Sequence, residues 1–422
     1  MVFIRKFVRY DLHAAFICLV EFILSSDRIK VLVFMIIGIV GAPNKGKSTL
    51  FSALTMHDVP IANRPFTTIN PNFGVTYVTK ECPEAKLGVK CKPKNSVCIN
   101  GVRYIPINVV DVAGLVEGAH EGRGMGNKFL NDLSAADAFI VVVDGSGKTD
   151  AEGNFCESCN PADDVKIVEN ELAEWVSEII TKHINNISRR DGSEVLYESL
   201  TGLKISKNAI ESALEKANLP GSLIGSSHDD TLNFSKLLLR IAKPIIIAFN
   251  KFDTREAQDN FIKLKFEYPA VPCSAAIELA ARKAEKQGVV KYSPGSNELT
   301  IIDGKVTQEQ RSALEYMSKF IKEHGTNVQL LLNKVVFELL KSIVVYPVED
   351  ENKYTDHFGN VLPDAVLMRS GSTAQDLAYS IHTDLGSGML YAVDAVSKKR
   401  LGKDYVLKDG DVIKIVSASR PK

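Results

Sequence analysis

The stretch "MIIGIVGAPNKGKSTL", residues 35–50, decides the fold class of this chain. Its apolar run Ile36–Val40 predicts a short buried strand, and a helix is predicted to begin near Ser48. The residues between strand and helix match the spacing G-x-x-x-x-G-K-[ST]. Such a loop turns backbone N–H groups toward phosphate, and the helix N-terminus adds a favourable dipole. The sequence therefore predicts a phosphate-binding loop, or P-loop, at this point.

The P-loop supplies most of the candidate nucleotide-binding residues. Lys47 is predicted to place its ammonium on the β- and γ-phosphates, and Ser48 to offer its hydroxyl to Mg²⁺. The candidates in this loop are Gly41, Asn44, Lys45, Gly46, Lys47, Ser48 and Thr49. A chance glycine-rich loop is the alternative, and the predicted strand before it and helix after it argue against that alternative.

A second motif, "NKFD", begins at Asn250 and ends the apolar run "PIIIAFN". The carboxylate of Asp253 can accept hydrogen bonds from both N1–H and N2–H₂ of guanine, a donor pair that adenine lacks. Asn250 is predicted to bridge back to the P-loop and the stem of Lys251 to lie along the base. Ser274 and Ala275, in "CSAA", are predicted to offer backbone N–H groups to guanine O6. Guanine is therefore predicted, with a surface Asn-Lys turn as the alternative.

Two further segments are predicted to contact the γ-phosphate. In "RPFTTINPN", residues 64–72, Thr67 and Thr68 both qualify as the hydroxyl that closes over the phosphate through Mg²⁺. A polar turn between the two prolines is the alternative. Asp111 ends a predicted strand before "VAG", so its carboxylate can hold the magnesium shell, and the N–H of Gly114 can bond the γ-phosphate.

The segment after Gly114 raises the question of how a water molecule would be oriented. Leu115 stands where Ras-like enzymes carry a glutamine for that task. His120 and Glu121 are the nearest polar candidates, and the alternative for both is a solvated loop residue. The many glycines of "GAHEGRGMGN" predict a segment that changes conformation on nucleotide exchange.

Composition is that of an ordinary globular protein of two or three domains. The 422 residues are 45% hydrophobic and 24% charged, and lysine plus arginine equals aspartate plus glutamate at 51 each. No global field would therefore draw the chain to nucleic acid or membrane. Residues 1–34 are interpreted as an extension or a mis-called start, because their apolar stretch is too short to span a bilayer; a signal anchor is the minor alternative. No stable membrane insertion is predicted.

Alternating strand and helix signals predict an α/β fold with a doubly wound, mostly parallel sheet across residues 35–341. Two helical regions interrupt it, an insertion at about 161–240 and further helices at about 275–340. From residue 342 to 422 the residue pattern changes to short strand and turn signals, which predict a compact α+β module. One helix of this module is predicted to be capped by Ser372 or Thr373.

The seven cysteines do not suit a secreted disulfide framework. Cys156 and Cys159 form the one CxxC, and they could share a zinc site with Cys82, Cys91 and Cys98 only if the two loops met in space. Reduced thiols are the interpretation preferred over metal binding.

Together these motifs, with "PFTTINPNFG" and "DVAGLVEGAHEGRGMGNKFL", resemble the Obg superfamily of GTPases, and most closely its YchF-like branch in the archaeal form. The stretches "LPDAVLMRSGSTAQDLAYSIH" and "LKDGDVIKIV" resemble a TGS domain, a small β-grasp fold. The likeness covers nearly everything from Met35 onward. It implies a cytoplasmic GTPase that associates with ribosomes or RNA and carries a helical domain inserted in its G domain.

The resemblance also implies roles for individual residues. Carried across by motif, Thr68 is the switch threonine and, with Gly114, the predicted catalytic pair. The predicted metal ligands are Ser48, Thr68 and Asp111. Family members with a hydrophobic residue at the position of Leu115 remain hydrolases. Related enzymes with asparagine at the position of Asn44 can use K⁺, so K⁺ stimulation is a hypothesis.

Three functions remain open on sequence alone. A GTP-hydrolysing switch is favoured, because the intact "NKFD" departs from the degraded motif of ATP-preferring YchF proteins. The others are a YchF-like ATPase and a nucleotide-regulated RNA- or ribosome-binding module with negligible hydrolysis. Two lysine-rich patches could contact RNA phosphates, although a solvated face is the alternative. They comprise Lys86, Lys90, Lys92 and Lys94, and Lys398, Lys399, Arg400 and Lys403. The oligomeric state is not predicted.

Overall fold

The computed structural model describes residues 35–56, 72–112, 134–184, 192–219, 223, 225–302, 304 and 306–418. The interpretation of residues 1–34 thus lies outside the described residues. The chain divides into a larger compact unit, which holds most of residues 35–342, and a smaller one that contains the chain from Ile343 onward. Among the helices that the structure describes, none is long and apolar enough to cross a membrane.

The larger unit follows the predicted alternation of strands and helices. Its first half comprises β1 (Ile36–Val40), α1 (Lys47–Thr55), β2 (Phe73–Glu81), β3 (Val97–Ile99), β4 (Val102–Asp111) and β5 (Ala138–Asp144). The short helix α2 (Glu84–Leu87), between β2 and β3 in the chain, lies in residues 83–93, which belong to the smaller unit. An all-helical stretch follows, with α3 (Pro161–Ile184), α4 (Gly192–Leu200), α5 (Lys207–Lys216) and α6 (His228–Ala242). The second half comprises β6 (Ile245–Asn250), α7 (Arg255–Lys263), β7 (Ala270–Pro272), α8 (Ala275–Lys286), β8 (Val290–Tyr292), β9 (Leu299–Ile301), α9 (Gln308–His324) and α10 (Val328–Asn333).

Within the described residues the main sheet has seven strands, ordered β2-β4-β1-β5-β6-β7, with β3 also paired to β4. Strands β4, β1, β5, β6 and β7 run parallel, whereas β2 and β3 pair with β4 in antiparallel fashion. Every residue of β5 and β6 is buried, as expected for strands covered on both faces. The carboxyl ends of β1, β4, β5 and β6 therefore meet at one edge, where an open α/β sheet binds its ligands.

The predicted helical insertion lies between β5 and β6. Its helices α3 and α6 share a core with the sheet, in which Leu172, Val176 and Phe234 pack with Val141 and Val143. The region predicted as further helices contains an additional element, the antiparallel hairpin β8–β9. Each of these strands has only three residues. An alternation of apolar and polar residues over so short a length cannot be distinguished from the helical patterns on either side.

The smaller unit has a five-stranded sheet among its described residues, ordered β11-β10-β14-β12-β13. Its elements are β10 (Ser342–Val348), β11 (Val366–Arg369), α11 (Ala374–Ile381), α12 (Thr383–Ser387), β12 (Met389–Asp394), β13 (Arg400–Leu401) and β14 (Val412–Ser417). Thr373 caps α11 through a capping box with Asp376, which settles the predicted choice of cap.

Candidate functional site

The P-loop joins β1 to α1 with the backbone geometry that phosphate binding requires. Gly46 occupies the N-cap of α1 in a left-handed conformation with φ of 95°, and no side chain caps the helix. The first backbone N–H groups of α1 are therefore left for a ligand. A Cβ at Gly41 would lie 2.5 Å from the carbonyl oxygen of Val142, so this position must remain glycine.

Lys47 and Asp111 place opposite charges beside this loop. The ammonium of Lys47 is buried and donates a hydrogen bond to the carbonyl of Ala42 at 2.7 Å. Burial lowers the pKa of Lys47, and the nearby Asp111 carboxylate works in the opposite direction. Burial likewise raises the pKa of Asp111, against the effects of Lys47 and Ser48. Each charge is thus desolvated and is stabilised mainly by the other.

Two of the predicted metal ligands, Ser48 and Asp111, are in contact. The hydroxyl of Ser48 donates to Oδ2 of Asp111 at 3.3 Å. The other carboxylate oxygen, Oδ1, is buried and has no hydrogen-bond partner among the described residues. A buried carboxylate oxygen without a partner beside a serine hydroxyl is the donor set that a hard divalent cation prefers.

The base-binding motif lies against the P-loop. Asn250 donates from Nδ2 to the carbonyl of Lys45 at 3.0 Å, and its Oδ1 accepts the N–H of Ala275 at 3.1 Å. Ser274, at the N-cap of α8, donates its hydroxyl to Oδ1 of Asp253 at 2.5 Å. The structure therefore brings together Asn250, Asp253, Ser274 and Ala275, all predicted from two separate motifs.

Lys251 is held by an acid that sequence reasoning missed. Its ammonium pairs with Oδ2 of Asp144, at the end of β5, at 2.7 Å. Burial alone would raise the pKa of Asp144, but hydrogen bonds from Lys251, Ser146 and Thr149 hold it below its usual value. The run "VVVD" at the end of a predicted strand was the available signal, because strand ends at this edge carry the site.

Two residues of the P-loop, Asn44 and Lys45, bind the segment of chain that follows β5. The ammonium of Lys45 is buried, pairs with Asp164 at 2.8 Å and donates to the carbonyl of Thr149 at 2.8 Å. Asn44 donates from Nδ2 to the carbonyl of Gly153 at 2.9 Å. The side chain of Lys45 is thus committed to protein groups, so its predicted role in nucleotide binding is confined to its backbone. Asp164 had no local sequence signal.

Burial raises the pKa of Asp164 to about 6, although Lys45 acts to lower it. Cys156 and Cys159, in the same chain stretch after β5, are joined in a disulfide. The interpretation of these two residues as reduced thiols was therefore wrong. The CxxC spacing itself allows either state, which is why sequence alone could not decide it.

Several predicted residues lie outside the described part of the chain. They are Thr67, Thr68, Gly114, Leu115, His120 and Glu121. Their proposed roles stay predictions. Thr49 lies in the first turn of α1, directly after Ser48.

Family models match three parts of the chain. Residues 36–188 match a 50S ribosome-binding GTPase, and residues 248–350 match the G4 motif-containing domain of an Obg-like GTPase described as YGR210-like. Residues 358–417 match a TGS domain. The first match contains the P-loop, and the second contains the base-binding motif. The third match lies in the smaller unit.

Several relatives match along most of the chain. A GTP-binding protein of Methanocaldococcus jannaschii is 52% identical over 394 residues, covering 91% of this chain and 99% of the relative. The ribosome-binding ATPase YchF of Bacillus subtilis is 29% identical and covers 89% of this chain and 97% of its own. The crystal structure of a GTP-binding protein from Pyrococcus horikoshii superposes with a TM-score of 0.72 at 37% identity, covering 91% of this chain and all of that one. This chain belongs to the Obg-like, YchF-related family of P-loop GTP-binding proteins that carry a C-terminal TGS domain.

Proposed function

We propose that this protein is a cytoplasmic GTPase, which hydrolyses GTP to GDP and phosphate with Mg²⁺ and acts as a nucleotide-dependent switch with ribosomes or RNA. The observation that carries the proposal is the assembled guanine site beside the P-loop. Asp253 is oriented by Ser274, and Asn250 ties the base-binding motif to the P-loop backbone. A carboxylate fixed in this way matches the paired donors of guanine and would be left unsatisfied by adenine.

Mg²⁺ is supported by the donor set at the other end of the site. The hydroxyl of Ser48 and the unpartnered Oδ1 of Asp111 would hold the ion, with Thr68 as the predicted third protein ligand. An ion held there would supply positive charge to offset that of the β- and γ-phosphates. Lys47 would position the same phosphates, and the uncapped start of α1 would bind their oxygens.

K⁺ is a further part of the proposal, based on Asn44. Its amide nitrogen donates to Gly153, which fixes the side chain and leaves the amide oxygen as the acceptor. That oxygen, on an exposed residue of the P-loop, is suited to a monovalent cation near the phosphates. Leu115 supplies no polar group, so a cation or a partner would complete the site.

Ribosome or RNA association is supported by the relatives and by the smaller unit. YchF of Bacillus subtilis is named a ribosome-binding ATPase, and one family model is named for binding the 50S subunit. The predicted basic cluster at 398–403 is exposed, and the guanidinium carbon of Arg400 lies 3.8 Å from the ring centroid of Tyr391. A cation stacked on an aromatic ring is suited to single-stranded RNA.

The test is phosphate release by the full chain with GTP or ATP, in K⁺ or Na⁺, and with or without ribosomes. We expect GTP turnover that requires Mg²⁺ and rises with K⁺ and with ribosomes. Displacement of labelled GTP by equal ATP would instead support an ATPase, which is how the 29% identical relative is named. Tight GTP binding without turnover under any condition would support a binding module.

Nucleotide-dependent co-sedimentation tests the switch and the partner together. We expect more protein with ribosomes in the presence of a non-hydrolysable GTP analogue than with GDP. Reversing the charge of Lys399, Arg400 and Lys403 should reduce co-sedimentation and leave GTP affinity unchanged. An unchanged ribosome pellet would remove this cluster as the docking surface.

A further inference from the structure

The chain between β5 and α3 carries a disulfide to which the nucleotide site assigns no task. It joins Cys156 to Cys159. Both side chains are partly exposed, whereas Cys82 and Cys273 are buried. Thiol–disulfide exchange requires a sulfur that a thiolate can reach. Among the cysteines that the structure describes, this pair therefore combines a bond to break with access for the reagent.

The first cysteine of the pair closes a short hairpin, residues 148–156. Thr149 and Phe155 pair in antiparallel fashion. The N–H of Cys156 donates to the carbonyl of Lys148 at 3.1 Å. The hairpin thus has its own hydrogen bonds and keeps them whether or not the disulfide is present.

The tip of the hairpin lies directly on the P-loop. Gly153 is buried there, and a Cβ at this position would lie 2.9 Å from the carbonyl oxygen of Pro43. The carbonyl of Gly153 also accepts a hydrogen bond from Nδ2 of Asn44 at 2.9 Å. Because packed atoms this close leave no free space, a shift of the hairpin would be transmitted to the P-loop.

The second cysteine belongs to the chain that enters α3. The N–H of Cys159 donates to the carbonyl of Gly147 at 2.9 Å, and α3 begins at Pro161. The disulfide therefore joins two parts of the molecule, the hairpin and the start of α3.

A side chain of the P-loop spans the same two parts. The buried ammonium of Lys45 donates to the carbonyl of Thr149 in the hairpin and pairs with Asp164 on α3, both at 2.8 Å. The disulfide and Lys45 thus hold one junction, the first covalently and the second by charge and hydrogen bonds. Reduction would leave the contacts of Lys45 in place, so the junction should loosen locally rather than unfold.

The spacing of the two cysteines favours a reversible bond. A disulfide that closes so short a loop restricts the unfolded chain less than one that closes a long loop, and it adds correspondingly less stability. C-x-x-C pairs are typical of exchange chemistry. In a cytoplasmic protein, a disulfide is usually transient and serves catalysis or redox sensing.

We propose that Cys156 and Cys159 form a site of thiol–disulfide exchange with a dithiol, and that the oxidised pair holds the P-loop in a state that retains nucleotide. The inference rests on the proposed GTP-dependent switch and adds a second control to it. The exchange site is new, whereas the nucleotide contacts are those already described.

The reaction balances with a dithiol as the only co-reactant. A thiolate of the dithiol attacks one cysteine sulfur and forms a mixed disulfide, and the other cysteine leaves as a thiolate that takes up a proton. The second thiol of the dithiol then displaces the first cysteine. Two electrons and two protons pass to the protein, which gains two thiols, and the dithiol becomes a disulfide. An oxidised dithiol reverses both steps.

The first test measures the exchange itself, without reference to nucleotide. The full-length chain is equilibrated in mixtures of reduced and oxidised dithiothreitol and alkylated, and the modified cysteines are mapped by mass spectrometry. Cys156 and Cys159 should become alkylated together as the reduced fraction rises. The free, partly exposed Cys91 and Cys98 should be alkylated in every mixture and serve as the internal reference. A pair that stays oxidised in reduced dithiothreitol, or stays reduced in oxidised dithiothreitol, would overturn the proposal.

The second test measures how fast the wild-type protein releases a fluorescent GDP in its two redox states. We expect reduction to raise the dissociation rate about fivefold, the scale of a modest coupling between two sites. The double variant Cys156→Ser, Cys159→Ser should release GDP at the faster rate under both conditions. The matched control is Cys91→Ser, Cys98→Ser, which should keep the full redox response. Equal rates for oxidised and reduced wild type would refute the coupling, and this comparison needs no substitution that could impair folding.

The third test locates the change. Hydrogen exchange should become faster on reduction at residues 147–160 and at Asn44 and Lys45, but not in β12 of the smaller unit. Uniform exchange in both redox states would contradict a loosened junction.

These outcomes separate the exchange site from the proposed GTPase. Normal GTP turnover with GDP release that does not depend on redox state would reject the exchange site as a control and leave the GTPase standing. Redox-dependent GDP release without GTP turnover in either state would reject the GTPase and retain the exchange site.

Discussion

The two ends of the nucleotide site differ in how complete they are without a ligand. At the base end, Asn250, Asp253 and Ser274 are joined to the P-loop and to α8 by direct hydrogen bonds. At the phosphate end, Ser48 makes one long contact with Asp111, whose Oδ1 has no partner among the described residues. The polar groups at the base end are hydrogen-bonded to other protein groups. At the phosphate end, a buried carboxylate oxygen has no partner among the described residues and could bind a cation.

This difference assigns separate tasks to the two ends. A preorganised site loses little conformational freedom on binding, so we expect the base end to set nucleotide affinity and the choice of base. Buried charges without enough partners, such as Lys47 and Asp111, are stabilised when phosphate and a cation arrive. Changes at the base end should therefore alter which nucleotide binds, and changes at the phosphate end should alter turnover.

The largest expected effect comes from Asp253→Asn at the base end. The amide offers one donor and one acceptor, which mismatches the two donors of guanine, so GTP affinity should fall about 10³-fold. Xanthosine triphosphate presents an acceptor in place of the guanine amino group and should bind this variant better than GTP does. Competition against a fluorescent nucleotide measures both affinities.

Asp259→Asn, an exposed change on α7, is the control and should bind like the wild type. Equal losses for GTP and xanthosine triphosphate in Asp253→Asn would show that the carboxylate does not read the base. The base end of the site would then not determine which nucleotide binds.

At the phosphate end, Ser48→Ala should lower GTP turnover by about 10²-fold, because one ligand of the proposed magnesium site is lost. GDP affinity should fall much less, since the guanine contacts remain. Single-turnover phosphate release across a Mg²⁺ titration measures the effect. Ser52→Ala, exposed on the same helix, should behave as the wild type. A turnover defect that is independent of Mg²⁺ would contradict the assignment.

The ion pair between Lys45 and Asp164 should make the stability of the protein depend on pH, with an effect of intermediate size. Burial raises the pKa of Asp164 to about 6, above its ordinary value of 3.8, so the folded protein binds this proton more tightly than the unfolded chain does. The corresponding stability is present below about pH 4 and is lost as the pH rises through 6. Relative to Asp164→Asn, the free energy of unfolding of the wild type should fall by at most about 3 kcal/mol over that range.

Denaturant unfolding of both proteins between pH 4 and pH 8 tests this linkage. The asparagine variant cannot titrate at this position, so the difference between the two curves isolates Asp164. Parallel curves would mean that Lys45 compensates the carboxylate fully in the folded state.

Much of the larger fold could be predicted because its signals are local and long. The buried runs of β5 and β6 and the glycine spacing of the P-loop each indicate one structural element. The hairpin β8–β9 was missed because three-residue strands carry too little alternation. The Cys156–Cys159 bond was missed because spacing does not report oxidation state.

The site was predictable where a residue acts through its own motif, and it was not where a partner comes from elsewhere. Asn250 and Asp253 were found from four letters of sequence. Asp144 and Asp164 were not, because each acts through a lysine of a distant motif, Lys251 and Lys45 respectively. Such pairing depends on which strand and helix ends the fold brings together. The apolar run before Asp144 marks a strand end, but no local pattern shows which lysine either carboxylate contacts.

The smallest expected effect, in Ser274→Ala, tests whether the base end is preorganised or merely complementary. The variant keeps Asp253 and removes only the hydroxyl that orients it, so GTP affinity should fall about fivefold to tenfold, near 1 kcal/mol. ATP affinity should not change, because adenine does not use that carboxylate. Ser274 also caps α8, so the control is Thr307→Ala, which removes the cap of α9 far along the chain. That control should lower stability without altering GTP affinity, and equal losses for GTP and ATP in Ser274→Ala would reduce its role to capping.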